Sequence, residues 1–272
     1  GRIDMLSEES ARYMIKAVYE PHFEHFKEYF GNTIEGFFSD EPCFDNRDEN
    51  EQFASELGRP RTYYPWNDCL IEMLKEEFGE DAKKYLPFLW QSAANHIEAK
   101  IRTAYMNCIT RLYQKNFSMA LGDWCREHGV LYTGHVIEDD NIHTKTGAGA
   151  GHYFRAMSGE DIPGVDVVLS EVIPGMADYP VLGEVCYRLC DNKFFHYTLA
   201  KLASSDAHIR PETKGRAMCE IFGAYGWAEG VKMMKWLTDF MLVRGINHFV
   251  PHAFSMRFPD EDCPPHFYAR GN

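Results

Sequence analysis

The sequence predicts an α/β fold, part of a (β/α)8 barrel of the TIM type: a parallel sheet with about five βα units, the first strands missing. Three observations predict it. Short apolar runs rich in β-branched and aromatic residues alternate with segments whose apolar residues recur at helical spacing. Each run ends in polar or charged residues, where a barrel gathers its chemistry. No G-x-G-x-x-G or G-x-x-x-x-G-K turn follows a run, as an open, phosphate-binding doubly wound sheet would require.

The elements follow in order. Ser7 is a plausible N-cap, Glu8 and Glu9 suit the positive end of a helix dipole, and Met14, Val18, Phe23, Phe26 and Phe30 recur at helical spacing. Gly31 and Asn32 stop that helix, and TIEGFFSDE, residues 33–41, reads as a strand ending on two carboxylates. A long helical zone is clearest where Ile97, Ile101, Tyr105, Cys108 and Leu112 share a face; it runs on to Trp124 and ends at His128 and Gly129. Strands are expected at 130–136 (VLYTGHV) and 165–173 (VDVVLSEVI). Between them TKTGAGAGH reads as a flexible loop with no helix start behind it. A helix at 194–208 precedes a strand at 216–222 (RAMCEIF). A helix at 231–244, closed by Gly245, precedes a strand at 247–255 (NHFVPHAFS).

Five strands fall short of a barrel's eight. The chain opens on a helix and ends at PPHFYARGN, so residues 1–272 read as a single partial barrel domain cut from something longer. Its open side is expected to be covered either by a second copy, in a homo-oligomer, or by long insertions of the chain that fold over it. With 45% hydrophobic residues, the chain can bury a large core, and no run reaches the ~18 apolar residues of a membrane span. The net charge of −13 argues against nucleic acid. Cysteines 43, 69, 108, 125, 186, 190, 219 and 263 are scattered and read as reduced thiols; Cys186 and Cys190 suit one helix face better than a zinc knuckle. No signal peptide opens the chain, and a cytoplasmic location is expected.

Glu41 and Glu220 each end an apolar run, at the carboxyl end of a predicted strand. HVIEDDNIH crowds His135, Glu138, Asp139, Asp140 and His143 after the second strand. This loop would supply donors and acceptors to hydroxyls, or bind calcium through its carboxylates, or zinc through His135, Glu138 and His143. Glu138 is also a reserve for the second carboxylate. Tyr225 and Trp227 suit stacking. Strand alternation places His248 and His252 on one side, with His248 the residue singled out. His152 and Arg155 follow the glycine loop as further binding candidates.

FFSDEP, YTGHVIEDDN, GAGAGHYFRAM, CEIFGAYGW and NHFVPHAFS together resemble the (β/α)8 glycoside hydrolases, more narrowly the large α-L-rhamnosidase-like bacterial sugar hydrolases. The resemblance spans roughly the whole chain. It implies a glycosidase acting on a carbohydrate, without a cofactor, with Glu41 and Glu220 as acid/base and nucleophile or base. Asp40, His135, Glu138, Asp139, His152, Tyr225, Trp227 and His248 would contact substrate. Asp40 stands where that pattern usually has asparagine. Turnover by this stretch alone is expected to be weak or absent. Two other readings stay open: a non-catalytic carbohydrate-binding remnant, and a metal-dependent hydrolase centred on residues 135–143.

Overall fold

The computed structural model describes residues 3–44, 57–58, 63–137, 147, 149–176, 179, 181–182, 189–226 and 229–252. The chain divides into two compact units, residues 1–132 with 142–160 and residues 133–141 with 161–272.

In the first unit, helix α1 (Glu8–Met14) starts where Ser7 Oγ accepts the Ser10 amide at 3.3 Å, a cap whose loss costs about 0.5–2 kcal/mol. The expected continuous helix is broken. A π-helical turn, Ile15–Tyr19, leads into α2 (Glu20–Phe26), because Pro21 in the first turn of α2 has no N–H to continue the regular ladder. Strand β1 (Gly36–Ser39) is shorter than the apolar run predicted. Phe37 on it stacks on Tyr19 at 4.3 Å and meets Trp124 edge-on at 5.9 Å. Helices α3 (Leu70–Phe78), α4 (Ile97–Tyr113) and α5 (Ala120–Glu127) follow, with a second π turn, Gln114–Met119, between the last two. The predicted stripe holds: Ile101, Tyr105, Cys108 and Leu112 are buried.

Strand β2 (Leu131–Gly134) carries the chain from the first unit into the second. Its Leu131 amide donates to Glu35 O at 2.8 Å. Of the glycine loop, residues 144–146 and 148 lie outside the described residues, and the expectation of no helix behind it is corrected. Gly147, Gly149 and Ala150 are buried, the Phe44 amide donates to Gly149 O at 2.9 Å, and a short helix α6 (Tyr153–Ala156) does start behind it. Gly151 has φ +72, a backbone conformation that favours glycine whatever the surrounding space.

In the second unit, β3 (Ile162–Val168) is buried along its whole length. It starts before the predicted 165 and stops before 173, because Leu169 and Ser170 turn the backbone left-handed at φ 56 and 59. The two-residue strands β4 (Val181–Leu182) and β5 (Leu189–Cys190) form an antiparallel pair, which places Cys190 on a strand and corrects the helix-face reading of Cys186 and Cys190; Cys186 lies outside the described residues. A π turn, Phe194–Leu199, opens α7 (Ala200–Ile209). Strand β6 (Met218–Gly223), α8 (Gly230–Leu242) and β7 (His248–Pro251) complete the unit.

The strand order is β1-β2-β3-β6-β7, an α/β fold with five parallel strands, as a partial TIM-like barrel requires. Cysteines 43, 69, 108, 125 and 219 are not in disulfides. Among the described residues, no helix is long and apolar enough to cross a membrane.

Candidate functional site

Glu220 is the third residue of β6, between Asp166 of β3 and Val250 of β7 in the parallel register. It is buried, as an acid on a central strand can be only when paired. Both its oxygens are taken. His135, which follows β2 and is fully buried, approaches Oε2 through Nε2 at 3.0 Å. His252, which follows β7, approaches Oε1 through Nδ1 at 2.5 Å. Burial would raise the carboxyl's pKa, but the hydrogen bonds from His135 and His252, with their charge, outweigh it and hold Glu220 down at about 2. The two imidazoles favour the ionised form of the carboxyl on this central strand.

The backbone around this cluster is unusual. Between β3 and β6 the register slips, Val167 facing Ile221 and Val168 facing Gly223, so Phe222 is the extra residue of a bulge, with φ 83. Ala224 follows at φ 54. The slip brings Gly223 against His252; a Cβ at 223 would lie 3.2 Å from the imidazole and 2.9 Å from Val168 Cγ2. The bulge thus makes room for the histidine that completes the clamp.

The structure also brings in residues the sequence reading passed over. Asp166, a single acid within an apolar strand, is buried and sits beside Glu220 on one face of the sheet. His252, not His248, completes the cluster. His248 starts β7, exposed and paired with Asn247 Oδ1 at 2.8 Å, four residues or about 13 Å of extended chain from His252. Alternation puts both on one side but does not say which stands at the carboxyl end. Tyr225 Oη donates to Val172 O at 2.9 Å and accepts from its amide at 3.2 Å, so its hydroxyl clamps the loop after β3. Glu229 immediately precedes α8 without capping it through its side chain, and has a buried Oε1 with no hydrogen-bond partner among the described residues; burial pushes its carboxyl up to about 7.

In the first unit, Asp40 and Glu41 follow β1. Glu41 has φ 45, a conformation rare for a residue with a side chain, and both line a cavity of about 740 Å³. His152 caps α6, its Nδ1 accepting the Arg155 amide at 3.4 Å; burial and the neighbouring Arg155 lower its pKa. Arg155 itself donates to Thr110 Oγ1 at 2.7 Å. Glu138, Asp139, Asp140, His143 and Trp227 lie outside the described residues, and with them most of the proposed calcium and zinc ligands. His135, Glu220 and His252 offer two imidazoles and a carboxylate, donors of the type zinc takes. Both carboxylate oxygens are engaged by imidazole nitrogens.

No family model matches the chain, and none of the curated proteins compared with it does. Its fold is similar to the solved structure of a rhamnosidase from Novosphingobium sp. PP1Y, with a TM-score of 0.62 and 16% identity, over 93% of this chain and 21% of that one. At that identity the likeness is one of fold, and this chain spans about a fifth of the other's length.

Proposed function

We propose that the chain carries a glycoside hydrolase site in which Glu220 supplies the carboxylate opposite the anomeric carbon and Glu41 supplies the proton to the leaving oxygen. The observation that carries this reading is the Glu220 carboxylate within β6, three residues short of the strand's end, buried and held by His135 and His252. Glycosidic cleavage passes through an oxocarbenium-like state, and a fixed, desolvated negative charge stabilises it more than a mobile, hydrated one. The imidazoles need not move during the reaction, so the charge is pre-organised. The fold likeness to a rhamnosidase supports the same class of chemistry. The acid role of Glu41 rests on its place after β1 and on the resemblance of FFSDEP.

Two substitutions and two leaving groups test the pair. Glu220→Gln should lower kcat by about 10²–10⁴-fold on any α-L-rhamnoside that the parent chain cleaves, because the counter-charge is lost whatever departs. Glu41→Gln should do so on alkyl rhamnosides while sparing 4-nitrophenyl rhamnoside, whose leaving group needs little protonation. Equal loss on both substrates would remove Glu41 from the acid role. Unchanged kcat in Glu220→Gln would remove the proposal as a whole.

A further inference from the structure

The cavity beside β1 has a composition that its two carboxylates alone do not explain. Leu6 and Phe117, both buried, form part of its wall, Phe38 and Trp66 stand at it 39% and 47% exposed, and Asp40 and Glu41 complete it. All belong to the first unit. The residues on either side of Trp66 are tied down by hydrogen bonds. Tyr105 Oη donates to Pro65 O at 2.5 Å on one side of it, and Asn67 Nδ2 donates to Leu6 O at 3.0 Å on the other. One residue further back, Tyr64 Oη donates to Leu89 O at 2.6 Å. Asn116 Nδ2 donates to the same Leu6 carbonyl at 2.7 Å. The backbone is therefore pinned on both sides of the indole, and among the described residues no aromatic ring stacks on it.

A half-exposed indole between tethered neighbours, in a cavity with two carboxyl groups, is complementary to a ligand with one apolar face and several hydroxyl donors. Anionic ligands are disfavoured by Asp40 and the net charge of −13. We propose that this cavity seats a pyranose ring, its C–H face stacked on Trp66 and its hydroxyls donating to Asp40 and Glu41. The choice of a sugar rests on the hydrolase reading above. The volume of about 740 Å³ lies within the range of small-ligand sites and exceeds what one ring fills, so a second residue of a glycan has room.

The test uses the whole chain and two readouts. Intrinsic tryptophan fluorescence is titrated with L-rhamnose, with methyl α-L-rhamnoside and, as a cationic control, with choline; calorimetry repeats each titration. Saturable quenching by the sugars in the millimolar range is expected, absent in Trp66→Phe, with calorimetric affinity at least tenfold weaker in Trp66→Ala and in Asp40→Asn. Circular dichroism establishes that each variant is folded, as the exposure of both side chains predicts. No saturable signal with either sugar, unchanged affinity in Trp66→Ala, or binding of choline alone through the ring face and carboxylates overturns the proposal. Turnover of 4-nitrophenyl rhamnoside by the same proteins separates the two ideas. Sugar binding without turnover leaves the cavity standing and removes the hydrolase reading; turnover with unchanged KM in Trp66→Ala does the reverse.

Discussion

Burial alone would make Glu220 a weak acid, yet His135 and His252 make it a strong one. With its pKa held at about 2, below the ordinary 4.5, its contribution to stability is present above pH 4.5 and is lost as pH falls toward 2. Glu229 runs the other way. Burial raises it from 4.5 to about 7, so its contribution is fully present below pH 4.5 and is lost as pH rises through 7. Urea unfolding from pH 3 to 8 should therefore show a shallower acid-side decline in Glu220→Gln and a shallower decline between pH 4.5 and 7 in Glu229→Gln. Parallel curves for parent and variants would mean that neither carboxyl titrates differently on folding. At this scale the sequence was partly legible. Glu220 and His135 stand out because each follows a strong strand signal. Asp166 does not, because one acid in VDVV carries no periodicity of its own, and Trp66 lies in YYPWND, where neither helix nor strand spacing says what it faces.

Elements were more legible than their ends. All five parallel strands fall within predicted runs or overlap them, since β-branched and aromatic runs between helices leave little alternative. The start of β3 was missed because Ile162-Pro163-Gly164 reads as a turn, whereas Thr133 and Gly134 of β2 pair with Ile162 and Pro163. The π turns and the β6 bulge were invisible, because each depends on how backbone bonds close and not on apolar spacing. The bulge has a consequence that can be measured. In Gly223→Ala the new methyl would press on Val168 and the His252 ring, and relief requires β7 to retreat from Glu220. The expected loss is about 1–3 kcal/mol in urea unfolding, together with a rise of the Glu220 pKa toward 4.5 seen by carboxyl NMR. A destabilised variant whose Glu220 pKa stays at about 2 would show that β6 yields instead and that the clamp does not depend on the bulge.

For the whole molecule, two opposing forces decide whether copies associate. Among the described residues β1 pairs with β2 and β7 with β6, so these two strands stand at the ends of the sheet order. These end strands are also the exposed ones: three of the four residues of β7 and two of the four of β1 are exposed, while β3 is buried throughout. Such edges favour pairing with a second copy. Against it stands a net charge of −13, which repels an identical partner over about 10 Å at 0.1 M salt but only about 3 Å at 1 M. Edge pairing requires approach to about 4.8 Å, inside the first range and outside the second. Sedimentation at fixed protein concentration should therefore show mass rising with sodium chloride from 0.1 to 1 M at pH 7. Phe249→Pro, which removes a backbone donor from β7, should reduce the rise if that edge takes part. A single monomer mass at both salt concentrations, with parent and variant alike, would mean that the edges are closed to a second copy and that charge is not what keeps the chains apart.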